Sequence, residues 1–382
     1  MPTLTSSAPA SSAPAPSTTA TAAPLTTGTP AATPSVLAGQ DRTAVLEQAI
    51  RRDPHSFRIL TGDRPTGALH LGHYFGSQQN RVRLQNAGVE LLVLIADYQA
   101  ITDRTAAAGL PDIVIGLVAD YLALGIDPGR ATIFAHSQVE PLNQLLLPFL
   151  SLVSVAEIGR NPTVKDEIAA AGSPAVSGLM FSYPVHQAAD ILFCRANLVP
   201  VGKDQLPHIE LTRTIARRFN ERYCPDAPYF PEPDGLLSSV PLLLGTDGRK
   251  MSKSRNNSVP LRATPDETAR LVSGAKTDSE RHITYEPDRR PEVSNLVLLT
   301  ALCRDTTPEA VAAEIGDGGA ARLKAAAIEA INDRFAGLRA RRAALAADRG
   351  YLRSVLAAGN QRASAIAAET LAIVRELMHQ QY

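Results

Sequence analysis

Residues 57–76 read FRILTGDRPTGALHLGHYFG. Phe57–Thr61 is a short run of β character that closes on Gly62, and Gly62–Gly67 carries two glycines and Pro65, the composition of a turn. From Leu69 a helix-length segment begins, with His70 and His73 in its first turn. Residues three apart share a helix face, so this spacing projects both imidazoles together at a helix N-terminus. Unpaired N–H groups and a positive dipole favour a phosphate there. Gly72 lies between them, and its missing side chain lets a flat ring rest on the backbone. Strand, glycine turn and paired-histidine helix together describe a nucleotide site. A second cluster, Gly248-Arg249-Lys250-Met251-Ser252-Lys253-Ser254, sets two lysines and two hydroxyls after a turn.

Outward from that stretch the chain alternates. Leu91–Ala96 is apolar on both faces, as a buried parallel strand requires. Pro111–Leu124 repeats apolar residues at helical spacing and meets Gly125, a natural C-cap. Ala131–Ala135 is the next strand. The β-α-β-α-β order predicts an α/β fold, a Rossmann-like doubly wound parallel sheet with its ligand crevice at the carboxyl ends of the strands. Gly62–Arg64, Asp97–Gln99 and His136–Gln138 then share one edge. Leu198–Val201 reads as a further strand, followed by a helix over 204–220 carrying Arg213, Arg217 and Arg218. Val240–Leu244 leads into the lysine turn. From Pro265 onward Ala- and Leu-rich helical patterns run to Tyr382 with no strand pattern among them. The chain therefore divides into a disordered tail at 1–40, a Rossmann-like domain at 41–262 with a helical insertion around 138–190, and a C-terminal α-helical domain at 263–382.

Composition limits what such a protein does. Lys and Arg total 38 and so do Asp and Glu, giving a formal net charge of zero. Any nucleic-acid contact must come from local patches rather than a bulk basic field. The cysteines are Cys194, Cys224 and Cys303, with no CxxC pair. That excludes a disulfide framework and a zinc-finger-like site, and fits a reducing compartment. No run approaches the roughly 18 apolar residues of a membrane helix. The first 40 residues are almost entirely Ala, Ser, Thr and Pro, uncharged before Asp41. They lack a secretory n-region and the arginines of a transit peptide, so the expectation is a cytoplasmic protein without a membrane anchor.

Each chemical cluster alone is ambiguous. Two histidines at a helix start fit ordinary surface side chains as well as ligands, and clustered Lys and Ser are usually only solvated. In this order on this fold they point to attack at the α-phosphorus of a triphosphate. Negative charge develops on the departing pyrophosphate, and ammonium groups that engage it only then lower the barrier rather than the ground state. The chain has no G-x-x-x-x-G-K-[ST] loop, which argues against γ-phosphate transfer.

His70-Leu71-Gly72-His73 and Lys250-Met251-Ser252-Lys253-Ser254 resemble the two signatures of class I aminoacyl-tRNA synthetases. From about Arg58 to the C-terminus the chain is similar to the bacterial tryptophanyl-tRNA synthetase family. The likeness is carried by Thr61–Gly67, Asp97–Thr102, Tyr183–Leu192, Val199–Gln205 and Thr277-Asp278-Ser279. This resemblance implies ATP-dependent activation of L-tryptophan to tryptophanyl-adenylate, then transfer to the 3′ end of tRNA(Trp). It implies a homodimer, a C-terminal domain that binds tRNA and its anticodon, and Mg2+ that arrives on ATP rather than in a protein metal site. It assigns catalysis to Lys250, Lys253, His70 and His73. It assigns ATP to Arg64, Gly72, His73, Gly202, Asp204, Lys250, Met251, Ser252, Lys253 and Ser254. It assigns the amino acid to Tyr183, Asp190, Gln205 and Gln99, with Asp190 accepting the indole N–H. Indole has one donor and no acceptor, so a carboxylate is its matching partner.

Departures gather around the same pocket. Common bacterial members carry Gln, His and Met where this chain has Arg64, Gln99 and Gln187, and Glu where it has Lys203. The rival readings are a tyrosyl-tRNA synthetase on the same scaffold, a small nucleotidylyltransferase and a non-catalytic RNA-binding paralogue. The second lacks a lysine turn, and the third is disfavoured because no signature histidine or lysine is lost.

Overall fold

Five parallel strands form one sheet in the order β3-β2-β1-β4-β5. They are β1 Arg58–Asp63, β2 Glu90–Ile95, β3 Ala131–Ala135, β4 Leu198–Val201 and β5 Asp234–Leu237. This computed structural model describes residues 39–100, 109–161, 164–165, 177–202, 205–238, 240 and 242–382. The segment expected to be a disordered tail lies outside these residues, apart from its last two, which open the helix Gly39–Arg52.

In β2 every residue after Glu90 is buried, and its side chains alternate between two cores. Leu91, Val93 and Ile95 enter one with Val118 and Tyr121, while Leu92 and Leu94 enter the other with Phe134, Val185 and Phe193. Thr61 pairs with Val93 and Val93 with Ile133, which brings the carboxyl ends of the three strands level. The chain reverses its direction of travel across the sheet between β1 and β4, so the crevice opens above those two strands.

Three elements differ from the sequence reading. The helix after the glycine turn starts at Leu71, and His70 is its N-cap with extended backbone. A π-helical turn, Tyr74–Gln78, then interrupts it before Gln79–Ala87. The fifth strand, Asp234-Gly235-Leu236-Leu237, is not expected from sequence, because four residues opening with Asp and Gly carry almost no strand signal. Gly125, with φ 106°, does close the helix Leu110–Leu124 as expected.

Both sheet edges are covered, which blunts their free backbone groups. The helix Gly39–Arg52 lies on β5, with Arg42 paired to Asp234. The last helix, Arg349–Leu377, lies along β3. Asn360 Oδ1 accepts from the Ala135 N–H at 2.9 Å, and Arg362 Nη2 donates to the Ala131 carbonyl at 3.1 Å. A Cβ at residue 359 would enter the Ile133 carbonyl, so only glycine allows this approach. The C-terminal helices thus belong to the same compact unit as the sheet, which spans 38–382. Arg341 donates to the Ala123 carbonyl at 3.1 Å and Arg342 pairs with Asp120. The three cysteines are buried and free of disulfides. No described helix is long and apolar enough to cross a membrane.

Candidate active site

The two signature stretches are stitched together by backbone. Leu71 N–H donates to the Val259 carbonyl at 3.1 Å, and Leu261 N–H donates to the Leu69 carbonyl at 2.9 Å. His70 N–H donates to His73 Nδ1 at 3.2 Å, and the two rings lie 3.6 Å apart between centroids. Burial, helped by His73 and Lys253, pulls His70 down to about 3. Burial pulls His73 to about 4 against the opposing charge of Asp63. Both imidazoles are therefore neutral near neutral pH, able to hydrogen-bond a phosphate but not to neutralise it. Met251 packs under Gly72, where a Cβ would come within 3.1 Å of the His70 ring.

One buried amide shapes the lysine turn. Asn257 Oδ1 accepts from the Ser252 N–H at 2.8 Å, while Nδ2 donates to Asp247 Oδ1 at 2.7 Å and to the Lys250 carbonyl at 3.1 Å. The turn separates its two lysines. Lys250 is exposed, whereas Lys253 is half-buried and donates from Nζ to the Gly67 carbonyl at 2.8 Å. Burial lowers the Lys253 pKa, with Asp63 and Asp120 opposing it. Asp204 and the Ser254 side chain lie outside the described residues.

Beneath the glycine turn sits a buried ion pair that the sequence reading missed. Arg81 Nη1 donates to Asp63 Oδ2 at 2.5 Å, joined by the Tyr121 hydroxyl at 2.7 Å and Gln78 Nε2 at 3.0 Å. Burial alone would raise the Asp63 carboxyl, but Arg81 overrides it and holds the group well below the usual carboxylate range.

A cavity of about 450 Å³ opens above the ends of β1 and β4, and Arg64, Gln99, Tyr183, Asp190, Gly202 and Gln205 all line it. Tyr183 and Asp190 come from the helix Gly178–Leu192, a stretch with Pro184 inside it. The Tyr183 hydroxyl lies 3.1 Å from His208 Nε2. Asp190 is enclosed. Gln99 Nε2 donates to its Oδ2 at 3.5 Å, and His136 Nε2 lies 3.2 Å from its Oδ1. Burial raises the Asp190 pKa well above its ordinary value, and the nearby Asp97 adds to the rise. Behind Asp190 the rings of His136 and His186 lie 4.3 Å apart, and His186 Nε2 is 3.0 Å from Asn143 Oδ1. Burial pulls these histidines down to about 3 and about 4.

Residues 52–336 match the family model for tRNA synthetases class I (W and Y). A tryptophan–tRNA ligase of Streptococcus pyogenes serotype M1 is 41% identical over 334 residues, covering 84% of this chain and 97% of that one. The chain belongs to the tryptophanyl-tRNA synthetase family. It is an enzyme that activates tryptophan with ATP and charges tRNA. Among solved structures, this synthetase is similar to tryptophanyl-tRNA synthetase from Campylobacter jejuni complexed with ADP and tryptophan. That likeness has a TM-score of 0.73 at 29% identity, covering 84% of this chain and 99% of that one. A tyrosyl-tRNA synthetase from Archaeoglobus fulgidus shares the fold, with a TM-score of 0.61 at 23% identity over 78% of this chain and 94% of that one.

Two features of the synthetase's site escaped the sequence. The Asp63–Arg81 pair joins a turn to a helix 18 positions away, with no local spacing to betray it. His186 did carry a signal, since it precedes Asp190 by four and so shares its helix face. Its meeting with His136 depends on sheet order and was not readable.

Proposed function

We propose that Asp190, at the wall of the cavity, selects L-tryptophan by accepting its indole N–H, and that the paired-histidine and lysine signatures work on ATP beside it. What supports this reading is convergence. Six residues assigned from sequence line one cavity, and Lys253 is hydrogen-bonded to the Gly62–Gly67 turn at its rim.

In the first step a tryptophan carboxylate oxygen attacks the α-phosphorus of ATP, and the bond to the pyrophosphate oxygen breaks. Neutral His70 and His73 orient phosphate oxygens by hydrogen bonding. Lys253, with Lys250 swinging in from solvent, meets the charge that grows on the leaving pyrophosphate. Mg2+ enters on the nucleotide's own phosphates. Arg64, Gly202 and Asp204 hold the nucleotide; Tyr183, Gln99 and Gln205 hold the amino acid. In the second step a ribose hydroxyl of the terminal adenosine of tRNA(Trp) takes the acyl group and AMP leaves. The C-terminal helices bind that tRNA, and the enzyme works as a cytoplasmic homodimer.

The test is ATP–pyrophosphate exchange with each of the twenty amino acids in turn. Exchange driven by tryptophan alone is the expected result. Exchange driven by tyrosine would move the chain to the rival specificity, and no exchange at all would favour a non-catalytic RNA-binding role.

A further inference from the structure

We propose that His136, His186 and Asp190 form a binding site for a divalent first-row transition metal of the zinc type, set behind the cavity. One ligand atom from each residue lies within 4.8 Å of the others, and all three side chains are buried. His136 Nε2 and Asp190 Oδ1 are 3.2 Å apart. Two donors on a tetrahedral zinc, with bonds of about 2.0–2.1 Å, stand at about that separation.

The present contacts leave these atoms unsatisfied. Asp190 Oδ1 has no hydrogen-bond partner, and neither ring nitrogen of His136 has one of normal geometry, Asn143 being the amide that acts on it from nearby. Buried polar atoms without partners are rare and call for an explanation. Charge points the same way. The charged group acting on Asp190 is another carboxylate, Asp97, which is hydrogen-bonded to Ser137. No Lys or Arg ion pair reaches Asp190 among the described residues. A buried carboxylate without a cation is strongly disfavoured, and proteins resolve it with a proton or a metal.

The remaining groups suit a metal. A neutral imidazole donates a lone pair to a metal, and two of them stand here within reach of one carboxylate oxygen. Asn143 Oδ1, 3.0 Å from His186 Nε2, accepts that N–H and leaves the lone pair on the other ring nitrogen. His186 and Asp190 stand on one face of the helix Gly178–Leu192, and His136 follows directly on β3, so rigid elements group the donors before any ion arrives. Two imidazoles and one carboxylate match zinc, cobalt or ferrous iron better than magnesium or calcium. A cation on Oδ1 would keep Asp190 ionised while Oδ2 still faces Gln99 and the cavity. The site itself does not depend on the tryptophan reading.

The experiment uses the untagged full chain, stripped with a chelator, dialysed and then loaded with Zn2+ or Co2+. About one metal per chain by elemental analysis is expected, with visible d–d absorption for the cobalt form. His136→Gln and His186→Leu should each lower the bound metal at least about tenfold while circular dichroism stays unchanged. If His136→Gln fails to fold, His186→Leu and the stripping of wild type still give the answer, because leucine suits a buried helix position. Wild type that takes up less than about a tenth of an equivalent overturns the proposal and leaves a proton to cover the carboxylate. Variants that bind metal as wild type does also overturn it. Metal content is read separately from pyrophosphate exchange, so failure of one assay leaves the other standing.

Discussion

Asp190 and the lysine turn stand at two ends of the candidate site, and they are anchored in different ways. Asp190 is buried on a long helix among His136, His186 and Gln99, each set by a strand end or a helix. The lysine turn rests on backbone pairing and on the single amide of Asn257, with Lys250 exposed and Lys253 reaching across to Gly67. Selection benefits from groups that are fixed and already desolvated, because a mismatched partner then leaves them unpaired. Leaving-group charge appears only during reaction, so cations near it do most good when they engage late. Under the proposed roles, one end would discriminate by rigidity and the other accelerate by arrival.

The largest predicted effect breaks the floor that both ends share. Arg81→Leu leaves Asp63 buried without its cation and should cost about 3–5 kcal/mol of stability in chemical denaturation. The Asp63 carboxyl is depressed in the folded protein, so its contribution is present above the unfolded value near 4 and fades as pH falls below it. A mild loss for Arg81→Leu would mean that Tyr121 and Gln78 suffice.

Lys253→Ala should separate the ends. The exchange rate at saturating ATP should fall by about 10²–10³-fold, roughly 3–4 kcal/mol of barrier, with little change in KM for ATP. A raised KM with unchanged rate would make Lys253 a ground-state binding group. Asn257→Ala should act in the same direction but less, about 1–3 kcal/mol through the released turn. Tryptophan binding should survive it. The chain contains no tryptophan, so the change in substrate indole fluorescence on binding reads this with no indole emission from the protein itself.

The smallest effect concerns pH. With His70 and His73 pulled down to about 3 and about 4, kcat/KM for ATP should show no acid limb near the ordinary histidine value of about 6.5. Their folded values lie below the unfolded one, so they add stability as pH rises toward that value and nothing further above it. An acid limb near 6.5 that vanishes in His73→Asn would place a charged imidazole on the phosphates instead.

The sequence revealed those parts whose signals are local. Continuous apolar runs marked β2 and β3, and glycine and histidine spacing marked the turn and its helix. Both signatures and the six cavity residues were legible because each sits inside a short motif. What stayed hidden depends on long-range packing: the Asp63–Arg81 pair, the meeting of His136 with His186, and Gly359 against β3. The helix starts at Leu71, two residues beyond the expected Leu69, because glycine and histidine around it blur where helical dihedrals begin. The four-residue edge strand β5 is defined by its neighbours more than by its own side chains.

The most direct test of this account compares pyrophosphate exchange with tryptophan, tyrosine and phenylalanine in wild type and in Asp190→Ala. Phenylalanine offers no donor, and the tyrosine hydroxyl lies at the far end of a smaller ring. Wild type should favour tryptophan over both, by as much as roughly 10⁴–10⁵. In Asp190→Ala that margin should shrink mainly through lost tryptophan activation, with KM for ATP unchanged. A mutant that keeps full tryptophan selectivity would contradict the assignment of Asp190 as the indole acceptor.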